Sequence, residues 1–313
     1  MNEMQLSIIT INYNNSEGLR HTLESVASQT YREFEHIIID GGSSDGSVDV
    51  IKEYVHNVER INELMSERIH VEWLSEPDKG IYDAMNKGIE ISLGRRIVNS
   101  FNRSELVEDK NKGIEKASGE YIYFLNSGDC LASESVVADM HEQMDGSAII
   151  IGRVNQVLGG KIVGRTKLLS ESDLSMYRMC LQGINHQSAM IQTDIQRKYL
   201  YDTSLYLSAD WKFFMQTIVR DNVSVKMINS IFANYDCSGV SANNQVRIME
   251  ERKNALASIF SPRIANDYIA VLPYYYEVIR VQWLLQHPFW YKLYRGLATF
   301  ARKITNNHSF LNP

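Results

Sequence analysis

Two aspartates close two apolar runs in this chain, and carboxylates placed that way can handle a charged, hydroxyl-rich ligand. Asp40 ends the run His36-Ile37-Ile38-Ile39 and opens Gly41-Gly42-Ser43-Ser44-Asp45-Gly46-Ser47. Asp129 follows Glu120-Tyr121-Ile122-Tyr123-Phe124-Leu125 and the small polar stretch Asn126-Ser127-Gly128. A short apolar run without alternation reads as a strand buried on both faces, as in a parallel α/β sheet. Ligands of such sheets bind beyond the carboxyl ends of the strands, where both aspartates would sit. One carboxylate could accept from a base or a ribose hydroxyl, and the other could hold a divalent metal on a diphosphate. That pairing points to an enzyme of nucleotide-linked sugars.

The elements that must position these residues follow from the pattern. Leu6 to Ile11 reads as a first strand, Asn12 to Asn15 as a loop, and Ser16 as the N-cap of a helix with Leu19, Leu23 and Val26 on one face. Residues 34–40 give a second strand, and Ser47 caps the next helix. Val71-Glu72-Trp73-Leu74 is a short strand leading into the turn-rich Ser75-Glu76-Pro77-Asp78-Lys79-Gly80, and Ile81 to Ile89 is helical. Strand–helix alternation at this pace predicts a parallel, doubly wound sheet. Asn86-Lys87-Gly88-Ile89-Glu90 recurs as Asn111-Lys112-Gly113-Ile114-Glu115, so residues 91–115 are expected to be an insertion. Beyond residue 130 the pattern changes. Ala148 to Gly152 is a strand, and Val154 to Val163 reads as a hairpin about Gly159-Gly160. Ala189-Met190-Ile191 is strand-like, and Asp210-Trp211 enters a helix. From about residue 245 the chain reads as helical, with a kink expected at Pro273.

Composition bounds the function. A chain of 313 residues with 44% hydrophobic and 22% charged residues is ordinary for a globular protein. The net charge of −6 argues against nucleic acid as a partner. Three scattered cysteines, Cys130, Cys180 and Cys237, make neither a disulfide framework nor a zinc site, and a reduced cytoplasmic compartment is expected. No secretory signal pattern opens the chain, and no apolar stretch approaches the ~20 residues of a membrane span.

Three segments in order resemble the family 2 glycosyltransferases, whose fold is GT-A. They are Ser7 to Asn14, Ile39 to Ser47, and Tyr121 to Asp129 preceded by Ala117-Ser118-Gly119-Glu120, with Glu76-Pro77-Asp78-Lys79-Gly80 between them. The resemblance covers roughly residues 6–240. It implies a Rossmann-like, mostly parallel central sheet with flanking helices, and a helical C-terminal extension. The expected domains are a GT-A domain at 1–243, with its donor half at about 1–130 and acceptor half at about 131–243, and the extension at 244–313. The resemblance implies that Thr10, Asn12 and Tyr13 pack against the nucleoside, that Asp40 reads a base or ribose, and that Asp78 and Lys79 lie near the nucleotide. Lys79 could offset diphosphate charge. Asp83 and Asn86, three apart on one helical face, could reach the ribose or sugar, or simply be solvated. Asp45 serves a turn or helix cap equally well.

Asn126-Ser127-Gly128-Asp129 occupies the place of the family's metal-binding acidic motif, with Asn126 and Gly128 where carboxylates often stand. Asp129 remains as the metal ligand, and Mg²⁺ or Mn²⁺ is the expected cofactor, since Mg²⁺ commonly takes one or two protein carboxylates. By the same resemblance His186 and Gln187 face diphosphate or acceptor, and Asp210 is the general base of an inverting transfer. The plain alternatives are a core or turn histidine and a helix-capping aspartate. Gly239-Val240-Ser241 is expected to form a loop over the donor.

Residues 288–304 carry Phe289, Trp290, Tyr291, Leu293, Tyr294, Leu297, Phe300 and Ile304 with Lys292, Arg295, Arg302 and Lys303 and no acid. Such a helix suits a membrane surface, with core packing or a dimer as the rival. The expected function is transfer of a sugar from a nucleoside diphosphate sugar, UDP-sugar favoured, to a hydroxyl of a glycan. The glycan is expected to be linked to a polyprenyl diphosphate, for an O-antigen or capsule type of polysaccharide. The expected place is cytoplasmic, peripheral on the inner face of the plasma membrane. The rivals are a non-catalytic nucleotide-binding protein of the same fold and a sugar nucleotidyltransferase, though Asn12-Tyr13-Asn14-Asn15 lacks the latter's Gly-rich basic loop. Oligomeric state stays open.

Overall fold

The computed structural model describes residues 6–94, 119–238, 244–271 and 274–305. The chain divides into two compact units, Met1–Ser261 and Pro262–Pro313.

The first unit alternates strand and helix from its start. β1 (Leu6–Asn12), α1 (Ser16–Ala27), β2 (Phe34–Asp40), α2 (Ser47–Asn62), β3 (Ile69–Ser75), α3 (Ile81–Ser92) and β4 (Tyr121–Phe124) follow in order. Then come β5 (Cys130–Leu131), α4 (Val136–Gln143), β6 (Ile149–Leu158), β7 (Lys161–Arg165) and α5 (Met176–Leu181). β8 (Ala189–Gln192), α6 (Thr193–Lys198), α7 (Ala209–Phe214) with a π turn at Met215–Arg220, β9 (Val225–Asp236) and α8 (Gln245–Ile259) complete it. The strands form one sheet in the order β3-β2-β1-β4-β8-β6-β9-β5, with β7 paired to β6.

The four strands β3, β2, β1 and β4 run parallel. β1 and β4 are buried along their whole length, which is why neither shows alternation. The chain order reverses at β1, with β2 on one side and β4 on the other, so a crevice opens at the carboxyl ends. Register sets that edge: Asn12 pairs with Asp40, and Asp40 with Ser75. β8 then runs antiparallel to β4 and β6, so the second half of the sheet is mixed. The hairpin about Gly159-Gly160 forms, both glycines taking positive φ.

Local details refine the sequence expectations. Asn15, not Ser16, caps α1, its Oδ1 accepting from Gly18 N at 3.2 Å. α3 lies close on β1, because a Cβ on Gly88 would stand 2.5 Å from Ile9 Cγ2. The Asn86-Lys87-Gly88 segment therefore packs a helix against the sheet. The 91–115 segment starts inside α3, and its residues from 95 on, including the second Asn-Lys-Gly copy, lie outside the described residues. Pro273 and Gly239-Val240-Ser241 lie outside them too.

The expected boundary at 243 and the unit boundary at Ser261 differ by α8. α8 packs in the first unit, with Leu256 fully buried. The second unit holds α9 (Pro262–Val271), α10 (Tyr275–Gln286) and α11 (Pro288–Thr305). Among the described residues, no helix is long and apolar enough to cross a membrane.

His36, within β2, has no exposure and is bonded to Thr10 Oγ1 at 3.0 Å and Tyr54 Oη at 2.7 Å. Burial lowers its pKa from 6.5 to about 3, so the folded state holds a neutral ring. Between those values the unfolded chain binds a proton that the fold refuses, and stability falls as pH falls. The contribution is up to about 1.4 kcal/mol per pH unit. Urea titrations at pH 7 and pH 5 should show this loss, and His36→Gln should flatten the dependence; equal slopes in both proteins would contradict it.

Candidate active site

The carboxyl edge gathers three carboxylates, each held differently. Asp40 ends β2 and is fully buried. Its Oδ1 accepts from Asn12 Nδ2 at 2.8 Å and Ser43 Oγ at 2.5 Å. Its Oδ2 accepts from Ser43 N at 2.9 Å and Ser75 Oγ at 2.7 Å. Burial alone would raise its pKa, but these donors outweigh burial and lower it. Asp40 thereby ties the ends of β1, β2 and β3 together. Asp78 and Tyr13 close over its neighbour Gly41: a Cβ there would stand 2.5 Å from Asp78 Oδ2 and 3.1 Å from Tyr13 Cδ2, so both side chains would have to shift.

Around Asp40 the nucleoside residues separate. Tyr13 is 65% exposed beside Gly41 and Asp78, and its ring is free to stack. Asn12 Oδ1 is buried without a partner, an acceptor that burial disfavours leaving unmade. Thr10 is fully buried, and its hydroxyl bonds His36 in the core. Asn86 lies on α3. Its amide makes two 2.9 Å bonds to the backbone of Tyr201, stapling α3 to the segment before α7. Asp45 takes the turn role, accepting from Ser16 N and from Ser47 N and Oγ.

At the start of α3, Asp78 Oδ1 accepts from Gly80 N at 2.9 Å, and burial raises its pKa. Lys79 is exposed. Asp83 Oδ2 accepts from Lys79 N at 3.0 Å and lies 3.8 Å from the buried Lys87.

The second carboxylate is Asp129, 4% exposed after the β4 turn in which Gly128 takes φ 101°. Oδ1 accepts from Asp236 N at 2.9 Å and Oδ2 from Gln187 Nε2 at 2.8 Å. Burial dominates and pushes its pKa up to about 6. Asn126, three residues before, has a buried Oδ1 with no partner. Asp129 thus has neutral donors only, and an unused amide oxygen belongs to the same turn. A carboxylate short of charge beside a spare oxygen suits a hard divalent cation that draws its other ligands from water or phosphate. No cluster of three His, Cys, Asp or Glu that could hold a metal exists among the described residues.

Asp210, in the first turn of α7, is the third. Its Oδ2 lies 3.2 Å from His186 Nδ1. Its Oδ1 accepts from Tyr82 Oη at 3.0 Å and Trp211 N at 2.8 Å. Burial would raise its pKa, but His186, Trp211 and Tyr82 together lower it, so the carboxylate is ionised near neutrality. An ionised carboxylate only accepts, so Nδ1 of His186 carries the proton. On the other side of the ring, Nε2 lies 3.0 Å from Asn126 Nδ2. The His186-Gln187 dipeptide therefore joins two carboxylates, His186 touching Asp210 and Gln187 touching Asp129. Sequence reasoning missed Tyr82, whose partner lies 128 residues away.

An ionised carboxylate can take a proton from a hydroxyl, and a carboxylate that holds a cation can anchor an anion. Known proteins resemble this chain in sequence and in fold. The model of the glycosyl transferase family 2 matches residues 7–100. An uncharacterized glycosyltransferase of Mycobacterium tuberculosis is 29% identical over 248 residues, 77% of this chain and 78% of that one. The putative teichuronic acid biosynthesis glycosyltransferase TuaG of Bacillus subtilis is 28% identical over 142 residues, 45% of this chain and 43% of that one. Among solved structures, residues 1–349 of S. aureus TarS in complex with UDP-GlcNAc superpose with a TM-score of 0.55 at 16% identity, over 87% of this chain and 72% of that one. The chain spans 43% of full-length TarS. The structural likeness shows the fold, GT-A.

The raised Asp129 pKa yields a stability test. Below 3.8 the carboxyl is neutral in both states; as pH rises through about 6 the fold must hold a buried charge, and stability is lost. Asp129→Asn, with Gln187 turning its amide to match, should raise unfolding free energy at pH 8 by about 1–3 kcal/mol. It should change little at pH 4. Urea denaturation measures both, and a variant less stable at pH 8 would refute the assignment.

Proposed function

We propose that this chain is a family 2 glycosyltransferase that moves one sugar from a nucleoside diphosphate sugar to a glycan hydroxyl with inversion at the anomeric carbon. The single observation carrying this reading is the His186-Gln187 bridge between an ionised Asp210 and a cation-seeking Asp129. Asp210 Oδ2 accepts the acceptor's hydroxyl proton while the oxygen attacks the anomeric carbon. The bond from that carbon to the diphosphate breaks on the opposite side, so one displacement inverts the centre. His186 and Tyr82 hold the carboxylate's rotamer and keep it ionised until the acceptor arrives.

A divalent cation, Mn²⁺ or Mg²⁺, held by Asp129 and Asn126 would offset the charge growing on the departing diphosphate. On the nucleoside side, Tyr13 gives a stacking face and Asn12 Oδ1 an acceptor for a base N–H such as a uracil imide. Asp40 supports these indirectly. UDP is the favoured nucleotide, since the TarS fragment of the same fold binds UDP-GlcNAc. A polysaccharide acceptor agrees with TuaG, a putative teichuronic acid biosynthesis glycosyltransferase.

The second unit supports a lipid-linked acceptor. Phe289, Leu293, Leu297 and Phe300 of α11 are 47–71% exposed along one helical face. From residue 262 on, six Lys and Arg stand against two acids, Asp267 and Glu277, in a chain of net charge −6. An aromatic, cationic helix of this kind seats at an anionic lipid surface.

Purified protein incubated with UDP-, GDP- and dTDP-sugars and Mn²⁺ should release free nucleoside diphosphate from one donor. Release should stop with chelator and fall about 10²–10⁴-fold in Asp210→Asn. Nucleotide binding without release, with every acceptor offered, would favour a non-catalytic binding protein instead.

The full chain should also cosediment with phosphatidylglycerol vesicles at low salt and less with phosphatidylcholine vesicles. Leu297→Glu with Phe300→Glu should abolish this. A wild type that stays in solution with both lipids would refute the membrane reading.

A further inference from the structure

The first turn of α3, the 203–206 loop and the start of α8 enclose a cleft lined by Lys79, Asp83, Thr203, Ser204, Tyr206 and Arg247. Tyr82 also lines it and donates its hydroxyl proton to Asp210 Oδ1, so the cleft abuts the candidate base. Its furniture suits a sugar ring. Tyr206 is 44% exposed, and the Arg247 guanidinium lies 4.4 Å from its ring centroid. An aromatic face offers an apolar platform, and the serine and threonine hydroxyls offer exchangeable hydrogen bonds.

The charge balance is more specific. Glu251 accepts from Tyr206 N at 3.0 Å, Leu207 N at 2.8 Å and Arg247 Nε at 3.0 Å. One acid thereby fixes both the platform loop and the guanidinium, and its carboxylate is largely covered. Asp83, the only acid lining the cleft among the described residues, is engaged by Lys79 N and Lys87 Nζ. The Lys79 ammonium has no ion pair among the described residues, and the Arg247 side chain is 55% exposed. Two cations therefore line a cleft beside the base in a protein of net charge −6. Lys79, expected at the donor diphosphate, stands on this wall.

We infer that this cleft seats the acceptor's sugar beside Asp210, and that this sugar carries an anionic group, a carboxylate or a phosphate, recognised by Lys79 and Arg247. The inference rests on Asp210 being the base of a glycosyl transfer. The Arg247 fork matches either anion, and Lys79 adds a point charge.

The test is a ligand-observed NMR titration of the full chain with methyl β-glucuronide, glucose 6-phosphate and methyl β-glucoside. At least one anionic probe should bind about tenfold more tightly than the neutral glucoside. The tighter of the two anions names the group. Lys79→Gln with Arg247→Gln should remove the anionic advantage, and Tyr206→Ala should weaken all three probes. Equal affinity for neutral and anionic probes, no binding by any, or an advantage that survives the double variant would overturn the inference. UDP, GDP and dTDP titrated into the same samples separate the two readings. Nucleotide binding without an anionic advantage sinks only the cleft, whereas absence of binding by UDP, GDP and dTDP alike sinks the transferase site.

Discussion

Burying carboxylates at the edge of an apolar sheet is costly unless donors surround them, and the division of those donors organises this molecule. Asp40 receives four and becomes a fastener for three strand ends. Asp129 receives two neutral ones and stays short of positive charge, with its pKa near 6. Asp210 receives an imidazole, a phenol and an amide and stays ionised. Three aspartates of one residue type thus acquire three chemical characters from their surroundings alone.

The thinned acidic motif fits that division. A carboxylate at Asn126 would crowd another charge against Asp129 and could not donate to His186 Nε2. Asparagine there keeps a polar contact to the ring without adding a charge to the turn. Gly128 gives the turn its positive φ, which lets Asp129 fold back toward Gln187 and the Asp236 amide. The turn exchanges carboxylate count for a connected network reaching from β4 to α7.

Stability and function pull apart at this edge. Asn12 and Asn126 each leave a buried oxygen unmatched, and Asp129 holds a charge with no cation. Such debts are tolerated where a ligand settles them. In the core beneath, β1 and β4 are closed along their length and His36 is neutral and doubly bonded, although Tyr201 Oη and Gln196 Oε1 are also buried without a partner.

The order of strands and helices, the edge carrying Asp40 and Asp129, the hairpin at Gly159-Gly160 and the helical end were legible in the chain itself. Apolar periodicity and turn residues are local properties, and a parallel sheet places its strand ends by rule. Only the tertiary structure decided which polar groups at that edge are spent internally. A strand buried on both faces does not reveal where Thr10 points, so the core, not a ligand, received its hydroxyl. Asn86 found its partner at Tyr201, 115 residues away, and Tyr82 found Asp210 at 128. α8 joined the first unit because Glu251 clamps the 206–207 backbone. Hydrogen bonds across such separations leave no trace in spacing, because folding alone brings the partners together.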